Sequence, residues 1–299
     1  MREPLEHKEK SEESSNRAFI LVSVIWITGL LAVIATAFAI NIRVQILSGA
    51  NTAQNAKAEF ISDGLVYLTA WKLTAEDDDD KSIPRNGAPW ACRWSEDADA
   101  LIAVQDQGGL IDLNAASAKL LSQLFQQAGL QENRAGELAA AIEDFRDSDN
   151  DAAEGVFEPE TYDGKTYGPK NAPFNAVEEI DQLPGMTDQL YYALLPVLTV
   201  HSLQPGFDPA LTPAGLRQIL GIKANDQVPS ELAPFAAPSQ GNIFGVDVSI
   251  TLKNGTAFRR HAIIAVTRQP DRPFAILAWQ RGSALMTGQG AAVKQSCFN

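Results

Sequence analysis

The chain has 299 residues, 45% of them apolar, and carries 37 acidic against 24 basic side chains for a formal net charge of −13. That length suffices for a sizeable core and for two folded modules. So acidic a balance argues against the basic footprint with which proteins grip nucleic acid, and favours solubility outside a membrane and cation binding.

Residues 1–18 form a hydrophilic leader with four Lys/Arg and five acidic side chains. Residues 19–42 then run for 24 positions without a charge, between Arg17 and Arg43. As a helix they would span roughly 36 Å, enough to cross a hydrocarbon core of about 30 Å, and only a helix satisfies every backbone group of such a segment in lipid. Ala37-Phe38-Ala39 has the A-x-A form of a secretory cleavage site, so a signal peptide is the competing reading. Against it stand a leader that is not net positive and an apolar run longer than a usual signal core.

No proline occurs between Pro4 and Pro84. From Arg43 to Leu73 the pattern turns amphipathic, with Val44, Leu47, Ile61, Leu65 and Leu68 at helical spacing. One helix of some fifty residues is expected, its first half in lipid and its second against a soluble domain. An exposed apolar stripe on that second half is the natural surface for partners.

Residues 76–89 read as an acidic, turn-rich linker, and 90–104 as one or two short strands. Three further strands are expected at 242–252, 257–267 and 274–280; Lys253-Asn254-Gly255 between the first two is a hairpin signal, because Asn-Gly readily takes φ > 0. Between these strand groups, 109–224 is mostly helical, with helices expected at 115–127, 133–146, 176–183 and 187–194. Asn114, Asn175 and Thr187 are the expected N-caps of the first, third and fourth. Residues 225–241 are a Pro/Ala/Ser-rich connection. The reading is an α+β fold: a long N-terminal helix packed on a small antiparallel sheet, with a large helical domain inserted. Its segments are 1–18 (leader), 19–42 (membrane helix), 43–108, 109–224 (insert) and 225–299. The two cysteines, Cys92 and Cys297, lack metal-site spacing; in a periplasmic domain they could join its beginning to its end, and otherwise they are two separate thiols.

A hydrophilic leader switching abruptly to Phe19 and an apolar run resembles a type IV prepilin. That resemblance implies cleavage by a prepilin peptidase between Ala18 and Phe19, methylation of the new N-terminus, and a helix kept as a filament spine. Two departures stand out. Ala18 replaces the usual Gly before the cut, and Ser23 replaces the usual Glu at the fifth mature position. A subunit without that Glu cannot pair it with a neighbour's N-terminal amine, which suits a special place such as a filament tip.

The ordered motifs Gly109-Leu-Ile-Asp-Leu-Asn114, Ala141-Ile-Glu-Asp-Phe-Arg-Asp147, Asn171-Ala-Pro-Phe174 and Leu183-Pro-Gly-Met186 are similar to those of general secretion pathway protein K. That family comprises the large minor pseudopilins of type II secretion systems. The match weakens after His201, where the family's second Asn-rich motif is reduced to Phe207-Asp208-Pro-Ala-Leu-Thr212-Pro213. The resemblance implies a pseudopilin domain with an inserted helical domain, anchored in the inner membrane and facing the periplasm. It implies a place at the pseudopilus tip with minor pseudopilins I and J, contact with the inner-membrane assembly platform, and no catalysis.

One constellation suggests a metal. Asp147, Asp149 and Asp151 alternate, and Glu158 follows eleven residues after Asp147, as in positions 1, 3, 5 and 12 of an EF-hand. The match breaks at Ala152, where the loop needs Gly, and at Pro159, where an exit helix should begin. A calcium-organised loop over 144–163 is the better reading, because six carboxylates between Asp144 and Glu158 repel one another without a cation. Asp147, Asp149, Asp151 and Glu154 are the first candidate ligands; Glu158, Glu160 and Asp163 could serve that site or a second. The protein K resemblance also implies calcium here.

Two other function classes compete. Ile111–Asn114 followed by Val177 to Gly185 resembles a helix-hairpin-helix DNA-binding module, the alternative being a membrane-anchored DNA-binding protein. No Lys or Arg lies between Phe174 and Leu216, which removes the counterion-release drive for DNA. An enzyme is not expected: His7, His201 and His261 stand in no nucleophile, zinc or phosphate-loop pattern.

Overall fold

The computed structural model describes residues 6–74, 83–148, 170–223, 225–282 and 296–297; for residues 6–18 and Arg268 it describes the backbone. The chain divides into two units, Met1–Lys57 and Ala58–Asn299.

The first unit is helical from Glu6 onward, as part of α1 (Glu6–Thr74). The helix therefore begins ahead of the expected start at Phe19, running through the leader. Along residues 19–42 the large apolar side chains are all exposed, as a lipid-facing segment requires. Its few hydroxyls are satisfied by the helix itself: Ser23 donates to the Phe19 carbonyl at 2.9 Å, Thr28 to Val24 at 2.8 Å and Thr36 to Ala32 at 2.8 Å. No hydroxyl hydrogen among these three is left to hydrocarbon. This one long apolar helix fits a single-pass membrane anchor.

The second unit begins inside the same helix. Ala58, Leu65, Val66, Ala70 and Leu73, with the buried Ser62 and Thr69 between them, lie on one face of the helix and are buried against a five-stranded antiparallel sheet. The strands are β1 (Trp90–Ser95), β2 (Ala98–Asp106), β5 (Ile243–Leu252), β6 (Ala257–Gln269) and β7 (Arg272–Arg281), in that spatial order. On β5 the alternate residues Phe244, Val246, Val248, Ile250 and Leu252 all enter the core shared with the helix, as period-two side-chain alternation dictates. Each such buried side chain contributes about 1.5–3 kcal/mol. Arg260 of β6 joins helix to sheet by polar contacts: it donates to Asp63 at 2.7 Å and Glu59 at 2.8 Å, with its guanidinium 4.9 Å from the Trp279 ring centre.

β2 and β5 pair directly, with Asp106 opposite Phe244, although more than 130 residues of chain separate them. The sheet is thus complete without that intervening chain, which folds as a second core. It contains a two-stranded parallel ribbon, β3 (Ile111–Asp112) with β4 (Leu198–Thr199), and helices α2 (Ala118–Gln127), α3 (Glu132–Arg146), α4 (Asp188–Leu194) and α5 (Ala214–Ile219). Its core runs from Ile111 to Leu232, with Val228 and Phe235 packed against it, so it continues past residue 224 into the expected connection.

The capping expectations are corrected in part. Ser117, not Asn114, caps α2, accepting from the Leu120 amide. Asn114 instead spans the fold: its amide donates to the Phe174 carbonyl at 2.9 Å and its carbonyl accepts from the Phe174 N–H at 2.7 Å. The helix expected at 176–183 is a 3-10 segment, Val177–Gln182, and no side chain caps it. Asn175 therefore does not cap it; the Asn175 N–H is itself taken by Glu179 at 3.2 Å. Thr187 caps α4 as expected, accepting from the Leu190 amide.

Candidate functional site

Ala18 and Phe19 lie within the continuous first helix, and Phe19 is exposed. Of the seven candidate calcium ligands only Asp147 belongs to the described residues, as the C-cap of α3. Asp149, Asp151, Glu154, Glu158, Glu160 and Asp163 lie outside them. Among the described residues no three His, Cys, Asp or Glu side chains form a metal-binding group.

The two ends of the acidic segment are nonetheless fixed side by side. Phe145, near the end of α3, stacks on Phe174 with ring centres 4.7 Å apart. Arg146 donates to the Leu113 carbonyl and, at 2.8 Å, to that of Ala116. Burial lowers the pKa of this guanidinium, against the pull of Glu143, Asp112 and Asp147. On the return side, Lys170 pairs with Glu179 at 2.7 Å. The segment from 149 to 169 therefore leaves and re-enters one small, well-bonded region.

Behind that region Asp112 is wholly buried and fully occupied. One oxygen accepts from the amides of Asn114 (2.8 Å) and Ala115 (3.2 Å), the other from the Ser202 hydroxyl (3.0 Å) and the Leu203 amide (2.8 Å). The Asp of the Gly109–Asn114 motif thus ties β3 to the turn after β4, and the Asn of that motif ties it to Phe174. These are architectural roles. The Leu183-Pro-Gly185 hairpin likewise packs: Ile180 and Leu183 are buried, and Gly185 takes φ 85° to turn the chain into α4.

A second feature lies on the helix. Phe60, Tyr67 and Trp71 are 74%, 50% and 60% exposed, and with exposed Gly64 they form one stripe. The Tyr67 ring lies 5.6 Å from that of Trp279 and 6.3 Å from that of Phe274, so the stripe borders the edge strand β7. Of the expected apolar face, Ile61 and Leu65 turn toward the sheet, with Leu65 fully buried, while Leu68 is half-buried. An exposed apolar stripe was expected on this half of the helix; its residues, Phe60, Tyr67 and Trp71, were not named, although their spacing could have signalled them. At the opposite edge, Cys92 of β1 is disulfide-bonded to Cys297, their Cα atoms 4.6 Å apart.

A family model described as type II secretion system (T2SS), protein K, matches residues 100–203, the stretch holding Asp112, Asn114, Asp147 and Phe174. The type II secretion system protein K of Klebsiella pneumoniae is 25% identical over 245 residues, covering 70% of this chain and 75% of that protein. Among solved structures, the GspK-GspI-GspJ complex from the type 2 secretion system of enterotoxigenic Escherichia coli matches with a TM-score of 0.59 at 16% identity. That match covers 81% of this chain and 99% of the solved one, and it shows a common fold. Family model, relative and fold all agree with the resemblance carried by the ordered motifs, which is to protein K of the type II secretion system.

Proposed function

We propose that this chain is a minor pseudopilin of a type II secretion system, set at the tip of the pseudopilus and serving assembly rather than catalysis. The observation that carries this reading is the helical body inserted between the paired strands β2 and β5, behind a helix whose apolar half is uncharged and exposed. The tip position is supported by Ser23, whose hydroxyl is spent on the Phe19 carbonyl and offers no carboxylate to a neighbour's N-terminus. The body beyond the membrane faces the periplasm, a compartment where the Cys92–Cys297 bond persists. Its partners are minor pseudopilins of the I and J kinds, the inner-membrane assembly platform and, at Ala18–Phe19, the prepilin peptidase.

N-terminal sequencing of the membrane-purified protein tests this. A mature chain starting at Phe19, scarcer than the main filament subunit and unimpaired whether or not Ser23 is changed to Glu, is the expected result. A start at Ile40, or a requirement for Glu at position 23, would overturn it.

Calcium is part of the same proposal. Asp147, Asp149, Asp151 and Glu154, with Glu158, Glu160 and Asp163, supply the hard carboxylate oxygens that Ca²⁺ prefers. The close anchoring of the segment's two ends fits a loop organised by an ion, which would screen the mutual repulsion of the carboxylates.

A further inference from the structure

Among the described residues three non-glycine positions take a positive φ: Asn171 (51°), Leu203 (53°) and Asp226 (61°). Asn and Asp tolerate the left-handed region, because their short polar side chains bond to the local backbone. A leucine there is an outlier that costs energy. Leu203 is also 69% exposed. A single exposed leucine is ordinary on a protein surface. One held exposed on a strained backbone is not, since asparagine or glycine at the same position would relieve the strain and show water no apolar group.

The loop after β4 is built to hold that conformation. The His201 N–H donates to the Thr199 hydroxyl oxygen at 3.1 Å, and that hydroxyl donates to Gln107 at 2.6 Å. The Ser202 hydroxyl and the Leu203 N–H both donate to one oxygen of the buried Asp112, at 3.0 and 2.8 Å. A Cβ on Gly108 would lie 2.7 Å from Gln204 Oε1, so the Gln204 side chain is laid against the body. Of residues 201–204 only Leu203 is exposed. Its backbone is fixed before any partner arrives, which leaves little ordering entropy to lose on docking. The surroundings are acidic. The Asp208 N–H donates to the Gly108 carbonyl at 2.8 Å, which brings a half-buried carboxylate to the glycine that Gln204 covers. Between Phe174 and Leu216 the chain holds five carboxylates and no Lys or Arg.

We propose that Leu203 is a docking knob of the inserted body, seated in an apolar, basic-rimmed pocket on a partner pseudopilin of the I or J kind. This rests on the function proposed above. The pocket takes the leucine side chain out of water, and Lys or Arg at its rim meet the carboxylates around the loop. The backbone strain is present in the free and the docked chain alike, so it weighs on stability and not on affinity. Stability and association therefore respond in opposite directions to one substitution at this position.

The test uses the full chain, co-expressed with the I- and J-type pseudopilins of its own secretion system and purified in detergent. Leu203→Asn suits the left-handed backbone and removes the apolar group. Its melting temperature should equal or exceed that of wild type, while its affinity for the two pseudopilins falls about tenfold, as loss of a buried leucine implies. Wild-type binding should weaken as salt is raised. The photo-cross-linking residue p-benzoylphenylalanine, placed at position 203, should couple to the I- or J-type chain. Equal affinity in wild type and Leu203→Asn overturns the knob, and so does the lack of any cross-link to either chain. A lower melting temperature in Leu203→Asn also overturns it, because the chain itself would then be covering Leu203. Salt-insensitive binding overturns the basic rim. Failure of the wild type to bind either pseudopilin overturns the underlying reading, and the knob with it, so the two failures are told apart. The cross-linking arm stands even if Leu203→Asn fails to fold.

Discussion

Asp106 closes β2 at the point where the inserted body departs, and its side chain is almost wholly buried. One oxygen accepts from the Gly108 amide at 2.9 Å and from the Ser239 hydroxyl at 2.6 Å, joining the outgoing chain to the returning one. Desolvation raises its pKa above 3.8, outweighing those two hydrogen bonds and the charge of Arg85. The stability lent by the protonated carboxyl is fully present below 3.8 and is lost as pH rises through the higher folded value. Asp106→Asn keeps the acceptor and discards the charge, so it should gain on wild type at pH 7 and lose that advantage near pH 4. Asp106→Ala, which strands the Ser239 hydroxyl and the Gly108 amide, should be less stable throughout, by about 1–3 kcal/mol. Thermal melts of the three proteins across that pH range check both expectations. The sequence marks Asp106 as nothing special; only the pairing of β2 with β5 brings Ser239 to it.

At the scale of elements, the aromatic stripe on α1 and the acidic segment each make a prediction. Phe60, Tyr67 and Trp71 are exposed, so changing Phe60 and Trp71 together to Ser should barely alter the melting temperature. It should nonetheless weaken co-purification of I- and J-type pseudopilins several-fold, since exposed aromatics at helical spacing are typical anchors for a second helix. Unchanged capture would move the contact elsewhere. For the acidic segment, millimolar Ca²⁺ should raise the melting temperature relative to chelator. At a hundredfold excess over Kd the gain is about 2.7 kcal/mol. Mg²⁺ should do less, and Asp149→Ala should remove most of the difference. Identical melts in calcium and chelator would leave a solvated loop.

Elements with a strong local signal were legible in the sequence. Strands β5 to β7 declare themselves by β-branched and aromatic runs broken at Lys253-Asn254-Gly255, and the hairpin turns at Gly255 with φ 85°. The two-residue ribbon β3–β4 and the short α5 were not legible, because neither is long enough to show a period. The caps divided on a physical ground: Thr187 accepts from the Leu190 amide of its own helix, whereas Asn114 is taken up by a distant backbone partner, Phe174.

For the whole molecule, the insertion was readable as a change of pattern from strands to helices and back, but the register of its return was not. That register follows from Phe244, Val246 and Val248 having to face α1, since a one-residue slip would turn all of them outward. The disulfide lies at the same scale, because it closes a loop of 205 residues that holds both cores outside α1 except for Ile83 and Trp90. Loops of that size lose substantial chain entropy when cross-linked, so reduction, or replacing both cysteines with Ser, should cost about 2–4 kcal/mol in reversible denaturant unfolding.

That same bond has a mechanical consequence. A load applied between the membrane end of the chain and its C-terminus would run along α1, through the linker to Cys92, and across the sulfur bridge to Cys297. The chain between Cys92 and Cys297, with the whole inserted body, is spanned by a covalent bypass and is not itself part of the covalent path of that load. Along α1 itself the pull is resisted in shear, by side chains from Ala58 to Leu73 gripping the sheet together and by the Arg260 ties to Glu59 and Asp63. Contacts loaded in parallel in this way must break together, whereas contacts at a free edge would peel one at a time. A protein built so could be pushed or dragged by its helix while the body it carries keeps its shape.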